Sequence, residues 1–342
     1  MRIGILGTGS YLPERVVTND DLAKTLDTSD EWIFSHTGIH SRHIAGEGEC
    51  TSTMAAKAAR AAMDAAGAKS EEIGLVIVAT TTPDYNTFPA TACIVQNALG
   101  CRHSGAFDLQ AACSGFVYAL DMARSWSLAH GGRKAVVIGA ETLSRIVDWK
   151  DRSSCILFGD GAGAAVVGAV DDATVAAMEE GLEPFAYRNI LGSDGSGASF
   201  LTREGGTRQF MGPDLPDAGR VGTLPKLTMQ GHQVFAFAVK TMSAVVKGLA
   251  HDSGIMSANF DRIFAHQANG RIIEAVARRM DLPIEKFFLN LAGTANTSAA
   301  SIPISLDQAL REGSLKAGHR IVMVGFGAGL TFAGAAMRWP LL

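Results

Sequence analysis

The sequence predicts an α/β fold made of two similar halves. Short β-rich runs alternate with helical ones through the first half, the second half replays part of that order, and each half closes on a glycine-rich turn leading into an apolar strand. Such alternation predicts a mostly parallel sheet with helices on both faces. The joint between the copies falls near Val170 to Thr174, dividing the chain into residues 1–172 and 173–342 packed as one compact unit.

In chain order, Ile3 to Leu6 reads as a buried first strand. The N-terminus lacks the charged, apolar and small-residue succession of a signal peptide, so a cytoplasmic protein is expected. Gly7-Thr-Gly-Ser-Tyr-Leu12 begins like a dinucleotide fingerprint but carries Leu12 where the third glycine belongs, which argues against a nicotinamide cofactor. A helix near Ser52 to Ala66, a strand at Leu75 to Ala79, a helix near Ala90 to Leu99 and a strand at Gly105 to Leu109 follow. Phe116 to Leu128 has helical patterning and Ala135 to Gly139 is strand-like. Phe158-Gly-Asp-Gly-Ala-Gly163 reads as a turn into the strand that runs to Val167.

The second half opens on Leu191 to Lys226, dense in Gly, Pro, Asp, Arg and Thr, which reads as surface loops and hairpins. Val234, Phe235, Phe237, Ala238, Met242, Val245 and Leu249 then share helical spacing. A strand at Arg262 to Ala265, a helix from near Arg271 and another near Ser305 to Arg311 come next. Ile321 to Ala336 reads as strand, glycine-rich turn and strand.

Composition narrows the function. The chain has 342 residues, 47% of them apolar, enough for a sizeable core, and its net charge of -4 with mixed signs offers no basic stripe for nucleic acid. No run of about 18 apolar residues is present to span a bilayer. Cys50, Cys93, Cys101, Cys113 and Cys155 are scattered without a Cys-x-x-Cys pair, so reduced thiols are expected rather than disulfides or a zinc site.

Asp108-Leu-Gln-Ala-Ala-Cys-Ser-Gly115 places Cys113 at a strand-to-helix junction, where unpaired N–H groups and the positive dipole end favour thiolate over thiol. Read locally, a free cysteine is more often a packed small hydrophobe. His266, in Phe264-Ala-His-Gln-Ala-Asn269, stands at the carboxyl end of a predicted strand, where α/β sheets gather ligands. Asn296 lies in Gly293-Thr-Ala-Asn-Thr-Ser-Ala-Ala-Ser301, a small polar loop ahead of a helix. Taken singly, such a histidine is more often structural and such an asparagine more often a cap. Gly325-Phe-Gly-Ala-Gly329 is either a tight turn or a place where a backbone N–H meets a developing oxyanion unobstructed.

Together these pieces resemble the thiolase superfamily, and more closely the β-ketoacyl-acyl-carrier-protein synthase III family, the initiating condensing enzymes of fatty acid synthesis. The landmarks are Asp30-Glu-Trp-Ile33 with Thr37-Gly-Ile39, Ala111-Ala-Cys-Ser-Gly115, Phe158-Gly-Asp-Gly-Ala-Gly163, His266-Gln-Ala-Asn269, Asn296-Thr-Ser-Ala-Ala-Ser301 and Phe326-Gly-Ala-Gly329. The resemblance implies a thiolase-like five-layered α-β-α-β-α fold from two duplicated halves, usually a homodimer, and a triad of Cys113, His266 and Asn296. Elongating synthases carry a second histidine in place of the asparagine, and thiolases a second catalytic cysteine, so Asn296 points to the priming branch. Cys113 would take an acyl group from acetyl-CoA or a similar acyl-CoA, with the backbone N–H groups of Cys113 and Ala328 as oxyanion hole. Malonyl-acyl-carrier protein would then condense with it on losing carbon dioxide, its thioester carbonyl held by His266 and Asn296. No metal or redox cofactor is implied.

By the same resemblance, Trp32 and Arg152 look like the pair that sandwiches the CoA adenine, and Asn269 and Arg271 like further contacts along the tunnel. Phe88 resembles the residue that crosses the dimer interface to wall the other subunit's acyl pocket. Position 36, often arginine in the family, is His36, with less charge at neutral pH. The loop between Leu201 and Lys226 is expected to be longer than in the shortest members. Two rival readings share the triad: a synthase-III-like enzyme of specialised metabolism with another acyl donor or acceptor, and a papain-type Cys-His-Asn hydrolase. The absent papain context around the nucleophile and the duplicated glycine-rich turns argue against the hydrolase.

Overall fold

A computed structural model describes residues 1–171, 176, 185–203 and 227–340. The boundary at 172/173 and most of the loop from 201 to 226 lie outside the described residues. The strands of the first half are β1 (Arg2–Tyr11), β2 (Val16–Thr18), β3 (Ser41–His43), β4 (Ile73–Ala79), β5 (Gly105–Leu109), β6 (Lys134–Glu141) and β7 (Gly161–Val170). Those of the second are β8 (Arg188–Ser193), β9 (Leu201–Thr202), β10 (Thr228–Met229), β11 (Arg262–Ala265), β12 (Arg320–Gly327) and β13 (Thr331–Arg338).

Two sheets carry the fold, in the orders β1-β7-β6-β4-β5 and β11-β12-β13-β8. In the first, β5, β4 and β6 are parallel, and β7 pairs antiparallel with both β6 and β1. In the second, β11 and β12 are parallel, and β13 pairs antiparallel with both β12 and β8. The run β4-β6-β7-β1 therefore has the same pairing sense as β11-β12-β13-β8, which is the duplication. The sheets are mixed, not mostly parallel as the alternation suggested. β12 and β13, for one, are joined by the short turn Ala328–Leu330, which cannot hold the crossover a parallel pair needs.

Strand alternation builds the layers. Leu75, Ile77 and Ala79 of β4 face inward with Ile321 and Met323 of β12 onto the helices Gly115–Ala129 and Ser301–Arg311, which are shared between the sheets. Val76 and Val78 face outward onto the helices Thr51–Ala65 and Thr91–Leu99. Val322 and Val324 face outward onto the helices Gly231–Asp252 and Gly270–Met280. Helix, sheet, helix, sheet and helix follow one another through the molecule.

The glycines near the N-terminus serve this packing. A Cβ on Gly7 would stand 2.5 Å from the Ala66 nitrogen, and one on Gly9 would collide with the Ala62 nitrogen. Glycine on β1 and alanine on Thr51–Ala65 let strand and helix meet closely. Two other expectations shift. Gly161 and Gly163 lie inside β7 rather than in a turn, and Leu191 to Ser193 belongs to β8. The helix Gly231–Asp252 reaches the length and mean hydropathy, 1.2, of a membrane span, although the sequence showed no unbroken apolar run. Its Met242, Val246 and Leu249 are buried on the second sheet, and Lys240 and Lys247 interrupt it.

Candidate active site

Cys113 sits in the 3-10 turn Ala112–Ser114, between β5 and the helix Gly115–Ala129. Ala112 holds φ 46°, a left-handed conformation unfavourable for a residue with a Cβ. The second half braces the turn: Thr331 Oγ1 donates to Ala111 O at 2.9 Å and stands 2.9 Å from Ser114 Oγ. A matching turn, Ser298–Ala300, precedes the helix Ser301–Arg311, and Ser298 holds φ 49°. Each turn rests on a glycine of the other half's sheet. A Cβ on Gly139 would collide with Ala299 O, and one on Gly325 would stand 3.2 Å from Cys113 O.

Cys113 opens onto a cavity of ≈ 360 Å³ whose wall includes Leu143, Ile146, Phe158, Leu227, Ser298 and Ala328. Ala328 follows β12 directly, and a Cβ on the preceding Gly327 would lie 2.6 Å from the Cys113 nitrogen. The glycine-rich turn thus brings the Ala328 backbone beside the nucleophile, with Gly329 taking the left-handed φ of 73° that bends the chain into β13.

The electrostatics correct one expectation. Burial pushes the Cys113 thiol up to about 12; the Ser298 hydrogen bond lowers it, and the nearby Glu141 raises it further. Lost solvation is the largest of these effects and favours the neutral thiol. His266 follows β11 and is 0% exposed; burial pushes its imidazole down to about 3, leaving it neutral as well. Neither of its ring nitrogens has a hydrogen-bond partner among the described residues, and its ring meets Phe326 edge-on at 5.4 Å.

Asn296 is fixed by backbone and side chain together. Its N–H donates to Leu157 O at 2.9 Å and its carbonyl accepts from Gly159 N at 3.0 Å, pinning the loop to Phe158-Gly-Asp-Gly. Asp160 of that motif is buried and accepts from Ala45 N and Ser144 N, each at 2.8 Å, so the motif is scaffold. The Asn296 Oδ1 accepts from Ser298 N at 2.8 Å. Gln267 ties the two second-half motifs: its backbone N–H donates to Ser301 Oγ at 3.1 Å, while its Nε2 donates to Ser305 Oγ at 3.0 Å. The structure therefore joins Cys113 and Ala328 on one wall. His266 and Asn296 do not line that cavity: His266 packs on Phe326, two positions before Ala328, and Asn296 bonds Ser298, which does line it.

The proposed CoA residues cluster elsewhere on the surface. Arg152 stands 4.6 Å over the Trp32 ring, and His36 stacks on Trp32 at 4.2 Å. An adenine between Trp32 and Arg152 requires the guanidinium to swing off the indole. Asn269 caps the helix Gly270–Met280, its Oδ1 accepting from Arg271 N at 2.8 Å and its Nδ2 donating to His36 O at 3.1 Å. Arg271 Nε donates to Ser35 O at 3.0 Å. Phe88 is 82% exposed and stands apart from its own chain's cavity.

Two residues were not singled out from the sequence. Ser298 lay unnoticed inside the Asn296 motif, and Glu141 ended an apolar strand; a carboxylate closing the run Ala135 to Ala140 was the available signal.

Comparisons accord with this geometry. Residues 107–182 match the family described as 3-oxoacyl-(acyl-carrier-protein) synthase III, and residues 250–339 match its C-terminal part. A β-ketoacyl-(acyl-carrier-protein) synthase III of Caldanaerobacter subterraneus subsp. tengcongensis is 46% identical over 98% of this chain and 97% of its own. The crystal structure of the 3-oxoacyl-(acyl-carrier-protein) synthase III of Aquifex aeolicus superposes with a TM-score of 0.85, at 42% identity, covering 98% of this chain and 100% of that one. A priming β-ketosynthase of a polyketide biosynthetic pathway superposes with a TM-score of 0.87 at 36% identity, over 99% of this chain and 96% of that one. With this likeness running the length of the chain, and the thiolase-type pair of sheets beneath it, the chain belongs to the β-ketoacyl-acyl-carrier-protein synthase III family.

Proposed function

We propose that the chain initiates fatty acid synthesis by condensing an acyl-CoA primer with malonyl-acyl-carrier protein through an acyl-Cys113 intermediate. The observation that carries this reading is the shared wall of Cys113 and Ala328 in an apolar cavity. Cys113 sulfur attacks the thioester carbonyl and gives up its proton as the carbon–sulfur bond forms, since the resting thiol is neutral. The Cys113 and Ala328 N–H groups hold the oxyanion, and CoA leaves as its thiol. Malonyl-acyl-carrier protein then loses carbon dioxide, and the enolate oxygen is held by N–H groups of neutral His266 and Asn296. The carbanion attacks the acyl-cysteine, releasing 3-oxoacyl-acyl-carrier protein and the Cys113 thiolate, which regains a proton. The residues in these steps need no metal or redox cofactor.

Trp32, Arg152, Asn269 and Arg271 form the CoA-facing surface in this reading. The chain acts as a cytoplasmic homodimer: β5 lies at a sheet edge, and Phe88 and Phe107 are exposed apolar side chains that a second copy would cover. Intact-mass analysis with a panel of acyl-CoAs tests the first step. One acyl mass is expected on the wild type and none on Cys113→Ala; an unmodified Cys113 across the panel overturns the reading. The likeness to the priming β-ketosynthase favours a second reading, in which the same triad loads a different acyl group for polyketide synthesis. Donor preference in the same panel separates the two.

A further inference from the structure

We propose that Glu141 and Ser298 are positioning residues for condensation, holding the Asn296 amide with its N–H end toward the substrate carbonyl. Glu141 ends β6 and is 0% exposed. Its carboxylate accepts from Thr81 N and Thr81 Oγ1 at 3.1 Å, from Thr82 Oγ1 at 2.5 Å and from Ser298 Oγ at 3.0 Å. Thr82 Oγ1 in turn accepts from Thr142 N at 2.9 Å, which leaves its own hydrogen for Glu141. A buried carboxylate ringed by donors, one of them oriented by a further hydrogen bond, is a fixed acceptor.

Ser298 needs such an anchor. Its φ of 49° is one that residues with a Cβ hold only where their surroundings impose it. Two bonds do so: Oγ to Glu141 at 3.0 Å and N–H to Asn296 Oδ1 at 2.8 Å. The second bond decides the orientation of the Asn296 amide, because a backbone N–H must meet oxygen. Asn296 Nδ2 is therefore the end turned away from Ser298 and left to donate. Ser298 also lines the cavity beside Cys113, and Glu141, which does not line it, reaches the Asn296 amide through Ser298.

The inference rests on the two-step reaction proposed above, and its test measures the steps separately in the full chain. Self-acylation by acetyl-CoA and condensation with malonyl-acyl-carrier protein are timed for the wild type, Ser298→Gly, Ser298→Ala and Glu141→Gln. Glycine accepts the left-handed φ, so Ser298→Gly removes the hydroxyl without straining the backbone. The ratio of condensation to acylation is expected to fall about 10- to 100-fold in Ser298→Gly and in Glu141→Gln. The double variant combining Ser298→Gly and Glu141→Gln is expected to stay within about threefold of the weaker single one, because the two groups act as one unit. An unchanged ratio in Ser298→Gly, or losses that multiply in the double variant, overturns the inference. If Glu141→Gln fails to fold by circular dichroism, the two Ser298 variants decide alone. A wild type that does not acylate at all overturns the reaction and the inference with it.

Discussion

A Cβ placed on Gly327 would stand 2.6 Å from the amide nitrogen of Cys113, closer than side-chain carbons come to backbone. The Cys113 N–H and the Ala328 backbone can share one oxyanion only while this approach is kept. Gly327→Ala is expected to push the turn away from Cys113 and lower the acylation rate by about 10²- to 10³-fold, the usual loss of one oxyanion donor. Destabilisation of about 1–3 kcal/mol from overpacking accompanies it. Stopped acylation assays and denaturant melts on the same preparation check both numbers.

The Ser298 N–H bond to Asn296 Oδ1 at 2.8 Å makes two substitutions at position 296 informative together. Asn296→Ala removes both ends of the amide, whereas Asn296→Asp keeps the acceptor that holds Ser298, removes the donor and adds a carboxylate. Both variants are expected to self-acylate yet to condense about 10²-fold more slowly or worse. Normal condensation by Asn296→Asp would refute the donor role. Product formation from malonyl-acyl-carrier protein and pre-acylated enzyme is the measurement.

Trp32, with Arg152 at 4.6 Å and His36 at 4.2 Å, is the stack that the proposed function assigns to the CoA adenine. Trp32→Ala is expected to raise the KM for acyl-CoA about 10-fold with little change in kcat, the signature of lost uniform binding. His36 is folded onto its own helix, Nδ1 lying 2.7 Å from Trp32 O. His36→Arg is expected to lower KM at low salt, with the gain shrinking as salt rises. Steady-state kinetics at two ionic strengths decide it.

Much of the fold and site was legible because it rests on local signals. Unbroken apolar runs at Leu75 to Ala79 and Ile321 to Val324 announced the strands, and the small residues around Cys113, His266 and Asn296 marked loops where something other than packing is at stake. What escaped depends on partners far apart in the chain. Glu141 meets Ser298 across 157 positions, and nothing near either residue announces the other. Gly7 and Gly9 looked like part of a nucleotide fingerprint because a glycine needed for helix contact and one needed for phosphate contact are the same letter. The mixed sheet was missed because alternation reports elements, not the sense in which β7 and β13 return. The shift of the Cys113 thiol is illegible for a related reason: the helix terminus is visible in the sequence, while the burial that raises the thiol is not.

Neutral Cys113 and neutral His266 in one site have opposite consequences for pH. The Cys113 thiol is raised from 9.0 to about 12, so above pH 9 the unfolded chain releases a proton the folded one keeps, and stability falls as pH rises toward 12. His266 is lowered from 6.5 to about 3, so below pH 6.5 the unfolded chain binds a proton the folded one refuses, and stability falls as pH drops toward 3. The wild type is therefore expected to lose more stability than Cys113→Ala between pH 9 and 10.5, and more than His266→Gln between pH 6.5 and 4. Carboxylates contribute to the acid limb in both chains, which is why the difference between wild type and variant is read. Alkylation of Cys113 by iodoacetamide follows the same logic: its rate is expected to climb through pH 9 without levelling off. A plateau below pH 8 would mean a thiolate held by charge, and the neutral-thiol account of the acylation step would fall with it. Denaturant melts and pseudo-first-order alkylation rates across the pH range are the measurements.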